Sequence, residues 1–167
     1  MVMPETENQG VLPPELDPET AETLQAATRV LAGVALRSLD VLRGAVTLPQ
    51  LRLLAVLADL GAAPSGKAAQ ALGLDASTVT RLADRLTAAG YIARGGDLRH
   101  RGVVTLELTA SGRDLVVTAA TWRRQELARI LGRLAPADRA SVAAVLGLLV
   151  EAAGEDYGVV MASPVPL

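Results

Sequence analysis

The sequence predicts a mainly α protein with one small β-hairpin, and three observations carry that prediction. Apolar residues recur at helical spacing along most of the chain. Glycine and proline punctuate those stretches at intervals of one helix length. Only one place alternates: Val103-Val104-Thr105-Leu106-Glu107-Leu108, which follows the short run Tyr91-Ile92-Ala93-Arg94 as the second strand of a hairpin would.

The elements follow in order. Residues 1–16 carry Pro4, Pro13 and Pro14 with several acids and no cation, and read as a mobile acidic arm. Asp17 is placed to cap a first helix, with Pro18 at its first position and Glu19 and Glu22 near its positive end. That helix is expected to run to about Arg43, through Leu24, Ala27, Leu31, Val34 and Leu42, and to stop at Gly44. Thr47 caps a second helix, with Pro49 in its first turn and Leu51, Leu54, Val56 and Leu57 as its apolar surface. Pro64-Ser65 opens a third, which Gly73 ends; Asp75 caps a fourth, which Gly90 closes. After the hairpin, Thr109 begins a long helix to about Arg133, and Pro136 opens a last one to about Asp156. The parts are then an arm (1–16), an N-terminal helix (17–45), a central helix-and-hairpin unit (46–109), two C-terminal helices (110–156) and a tail (157–167).

The fourth helix carries the chemistry. Val79, Leu82, Ala83 and Leu86 fall on one face, while Ser77, Arg81, Asp84 and Ala88 point the other way, with Thr78, Thr80 and Arg85 on the flanks. A helix that hides aliphatics and shows hydroxyls and guanidiniums suits the major groove of double-stranded DNA. Two helices about a glycine turn and then a basic hairpin make a winged helix-turn-helix. Arg81 fits a bidentate contact to guanine; a phosphate clamp or a pair with Asp84 are its alternatives. Thr78 and Thr80 suit a thymine methyl or a phosphate, or serve as plain flank residues. Ser77 suits a phosphate or a local cap, and Arg85 a phosphate or an internal ion pair. In the hairpin loop, Arg99, His100 and Arg101 lie between Gly95-Gly96 and Gly102, within reach of the minor groove or the phosphates; His100 reads equally as a solvated loop residue. Trp122 reads as core or interface packing, or as the wall of a ligand cleft.

Charge distribution agrees. The net charge is −2. Residues 81–101 nevertheless hold Arg81, Arg85, Arg94, Arg99 and Arg101 against Asp84 and Asp97 alone, a basic face that would orient the protein on DNA. The outer helices, apolar on more than one side, exceed what a winged unit needs. They predict a homodimer that reads two half-sites about 34–36 Å apart; completing a monomer core is the alternative.

Other classes fare poorly. The chain of 167 residues has no cysteine and one histidine, which removes thiol chemistry and the usual zinc sites. No phosphate loop, dinucleotide fingerprint or HExxH occurs, so neither an enzyme nor a cofactor is expected. Uncharged runs of about 11 residues fall well short of the ~20 that span a bilayer. The N-terminal residues form no cationic, apolar signal, and a cytoplasmic location is expected.

Three segments resemble the MarR (multiple antibiotic resistance regulator) family of transcription factors. They are Thr47-Leu48-Pro49-Gln50-Leu51; Ser77-Thr78-Val79-Thr80-Arg81-Leu82-Ala83-Asp84-Arg85-Leu86; and Asp97-Leu98-Arg99-His100-Arg101 with Leu108-Thr109-Ala110-Ser111-Gly112. The resemblance covers roughly Thr47 to Leu115. The family's wing usually reads Asp-Pro-Arg-Asp-Arg-Arg, and Leu98, His100 and Gly102 depart from it. The resemblance implies a dimer formed by the first and last two helices, and DNA contacts from Ser77, Thr78, Thr80, Arg81, Arg85, Arg99 and Arg101, with Asp97 shaping the wing. It also implies repression, with release of DNA by a small apolar or phenolic effector. The competing reading is a winged-helix module that binds protein and not DNA.

Overall fold

A computed structural model describes residues 15–96 and 104–161, so Asp97, Arg99, His100 and Arg101, expected in the hairpin loop, lie outside the described residues. The chain divides into two compact units, one ending at Gly33 and the other beginning at Val34.

Helix α1 (Pro18–Arg37) starts in the first unit. Its cap is the expected one: Asp17 Oδ1 accepts the N–H of Thr20 at 2.9 Å. Hydrogen bonding from Thr20 holds the Asp17 carboxyl below its ordinary range. Leu24, Val30 and Leu31 are exposed. In the second unit α1 stops at Arg37, short of the end expected near Arg43. The buried Ser38 hydroxyl donates to the carbonyl of Ala35 at 2.6 Å. Asp40–Leu42 then tighten into a 3₁₀ turn, and Arg43 takes a left-handed conformation. This bend turns Leu42 and Val46 into the core.

Helix α2 (Leu48–Leu60) is the centre of the second unit. Gln50 Oε1 accepts from both the N–H and the hydroxyl of Thr47, which fixes its start. Leu51, Leu53, Leu54, Val56 and Leu57 are all buried, on more than one side of the helix. Such leucines stabilise the fold by about 1.5–3 kcal/mol each. Around α2 pack α3 (Ser65–Leu72), α4 (Ala76–Ala88) and the first turns of α5 (Ala110–Leu131).

Among the described residues the sheet has three strands, not the two expected. Strand β1 (Ala63–Pro64) pairs antiparallel with β3 (Val104–Leu108), which pairs with β2 (Ile92–Gly96) in the register Ile92↔Leu108 to Gly96↔Val104. A two-residue strand is too short to alternate, and its proline is tolerated because β1 is an edge. Ile92, Leu106 and Leu108 face the core.

Helix α6 (Pro136–Met161) runs further than expected, past Asp156, but leaves helical geometry at Gly154 (φ 57°, ψ −151°). Arg139 closes the turn into it by donating to the carbonyls of Leu134 and Gly132 at 3.0 and 3.3 Å. No side chain from 136 to 154 is buried. Among the described residues no helix is long and apolar enough to cross a membrane.

Candidate nucleic-acid interface

The site is built on α4. Val79, Ala83 and Leu86 are fully buried against the core, and Leu82 is partly so. That burial fixes the helix's rotation and leaves Ser77, Thr80, Arg81, Asp84 and Arg85 exposed on the outer side, with Thr78 half-buried at its margin. The face read from the sequence is thus the face the fold presents. Thr80 donates its hydroxyl proton to the carbonyl of Ala76 at 2.9 Å, so its methyl group and remaining oxygen lone pair are what it offers outward.

Asp75 takes the extended N-cap conformation, yet the N–H groups of Thr78 and Val79 go to its main-chain carbonyl, and its carboxylate makes no capping bond. The turn before it depends on Gly73, whose φ of 63° favours a residue without Cβ. Behind that turn Arg52 on α2 reaches the carbonyl of Leu72 at 3.4 Å, placing a cation at the negative end of α3. Ala68, in the middle of α3, is completely buried.

The far end of α4 is fastened to α5. Thr109 caps α5, accepting from the N–H of Gly112 at 3.1 Å, and its hydroxyl donates to the carbonyl of Gly90 at 2.7 Å. Its own N–H bonds the Tyr91 carbonyl at 3.1 Å. A Cβ on Gly112 would stand 2.1 Å from that same oxygen, so only glycine fits.

Asp84 pairs with Arg94 of β2, not with Arg81. Among the described residues neither Arg81 nor Arg85 makes an ion pair, which leaves both guanidiniums turned to solvent. Arg94 and Arg52 were not singled out from sequence as site residues. Strand alternation from Ile92 does put Arg94 on the core-facing side, which is the one available signal for it.

Away from α4, Trp122 and Arg123 on α5 are half-buried, and burial lowers the Arg123 guanidinium's pKa from its ordinary value. One turn on, Arg129 donates to both oxygens of Glu126 and holds that carboxyl below its usual range. A shallow open hollow on α1 is lined by Leu16, Ala21, Leu24 and Thr28. No three His, Asp or Glu side chains cluster as metal ligands among the described residues.

Comparison with known proteins agrees with this architecture. A family model described as MarR family matches residues 46–101. No curated protein matches significantly. Among solved structures, RV1404 from Mycobacterium tuberculosis is 31% identical, covering 85% of this chain and 98% of its own, with a TM-score of 0.77. A MarR family protein from Bacillus stearothermophilus is 24% identical over 83% of this chain and 98% of its own, with a TM-score of 0.70. BpsR of Bordetella bronchiseptica, whose DNA binding is regulated by 6-hydroxynicotinic acid, is 25% identical over 82% and 96%, with a TM-score of 0.57.

Proposed function

Because the chain belongs to the MarR family of transcriptional regulators, we propose that it is a homodimeric, sequence-specific DNA-binding repressor acting in the cytoplasm. The observation that carries this reading is the outer face of α4. Burial of Val79, Ala83 and Leu86 turns Ser77, Thr80, Arg81 and Arg85 to the exposed side of the helix. In this reading α4 enters the major groove, where Arg81 reads a base edge, Thr78 and Thr80 meet a methyl or a phosphate, and Ser77 and Arg85 hold the backbone. Arg99 and Arg101 contact the minor groove or the phosphates, and Asp97 shapes the loop that carries them.

Apolar surface left exposed among the described residues supports the dimer. Val145, Leu146, Leu148, Leu149 and Val150 on α6, with Leu24, Val30 and Leu31 on α1, are exposed, and a soluble chain covers that much aliphatic surface with a second copy. Two reading heads then engage two half-sites. Because BpsR responds to an aromatic acid, a small phenolic or apolar effector that releases DNA is part of the proposal. The role is non-enzymatic.

The test is fluorescence anisotropy across a salt series, with DNA from just upstream of the gene and unrelated DNA of equal length. Wild type should prefer its own upstream DNA by about 10³-fold or more, with a steep salt slope. Arg81→Ala should lose about 1–3 kcal/mol of that preference at one base pair. If neither DNA binds at low salt, the α4 face serves a protein partner and the repressor reading fails.

A further inference from the structure

The hairpin that would form the wing needs a fixed angle to α4 if both are to meet one duplex, and among the described residues one ion pair ties the two together. Arg94 lies on the same side of β2 as buried Ile92 and is paired with Leu106 across the ladder, so its side chain is directed back toward α4. There it meets Asp84, which stands among the outward residues Arg81 and Arg85. Beyond Arg94 the strand continues as Gly95-Gly96, which have no side chain to pack, and ends there. Arg94 is therefore the last side chain of β2 able to hold the hairpin against the helix.

A carboxylate on a face meant for DNA is otherwise a defect, since it repels phosphates. We propose that Asp84 and Arg94 are a positioning pair: Arg94 acts through Asp84 to set the hairpin's angle to α4, and so the distance between major-groove and wing contacts. This rests on the DNA-binding reading above and names two residues outside its contact set. Both side chains are about half exposed (40% and 56%), so the pair adds little to global stability; its effect is local.

The two roles separate by sign. If charge alone mattered, Asp84→Asn would strengthen binding by removing a negative charge from the basic face. A positioning role requires that Asp84→Asn weaken binding to the preferred DNA by about three- to tenfold while unrelated DNA binds equally well or better. Arg94→Gln should weaken the preferred complex similarly. The exchange Asp84→Arg with Arg94→Asp keeps the net charge and should restore most of the preference.

In the free protein, amide hydrogen exchange at Gly95, Gly96 and Val104 should quicken in each single variant and slow again in the exchange variant. An Asp84→Asn protein that binds its preferred DNA as tightly as wild type overturns the proposal. So does a folded exchange variant that recovers nothing, because Arg94 would then act on DNA by its own charge. Should wild type prefer no DNA at all, the repressor reading fails on that result, and hydrogen exchange still decides the pair: unchanged protection refutes it.

Discussion

Helices α4 and α6 draw on the same aliphatic residues and treat them differently. In α4, Val79, Ala83 and Leu86 form one stripe, and each is 0% exposed. In α6, Val145, Leu146, Leu148, Leu149 and Val150 follow one another around the helix and stay exposed, up to 71% at Val150. A stripe can be covered by neighbours on one side, and α2 and α3 supply them to α4. An all-round apolar helix needs neighbours on several sides, and no described side chain of α6 from 136 to 154 is buried. The outer face of α4 is thus polar and charged, whereas that of α6 is aliphatic.

Substitutions can break that contrast. The largest effect belongs to Leu86→Ala, which removes a fully buried side chain and should cost about 2–5 kcal/mol in urea unfolding. Next comes Val145→Glu combined with Leu149→Glu. These should keep the helical circular dichroism and winged core while weakening self-association by about a hundredfold or more, read by sedimentation. An unchanged mass would show that α6 is exposed without being an interface.

Gly112→Ala tests the joint between α4 and α5. Its new Cβ must displace the Tyr91 carbonyl, at a cost of about 1–3 kcal/mol. A thermal midpoint equal to wild type would mean that the joint yields.

The smallest effect concerns α1, exposed like α6 in its first turns and held there by its cap. The Asp17 pKa is lowered in the folded state, from an ordinary 3.8. Its contribution is therefore complete above that value and fades as pH falls through the lower folded value. Helicity should drop slightly in acid for wild type, and Asp17→Asn should flatten that dependence. An identical acid response in both proteins would remove the cap from the account.

What the sequence could determine by itself was local. Caps and stops at Asp17, Thr47, Gly73, Gly90 and Thr109 rest on hydrogen bonds within a few residues, or on a backbone angle that glycine relieves, so they are written in the order of the residues. The outward face of α4 was legible for the same reason, because helical periodicity assigns sides before any neighbour is known. Tertiary structure decided what depends on residues far apart. The bend after Arg37 exists because Leu42 and Val46 join the core, and no signal near Arg37 announces that. Strand β1 exists because β3 passes beside Ala63–Pro64. Asp84 chose Arg94 over the nearer Arg81 because the hairpin returns to the helix, which spacing along one helix cannot reveal. Short-range hydrogen bonding and periodicity are set by composition and order, whereas a partner ten residues away or more is set by where packing brings the chain back.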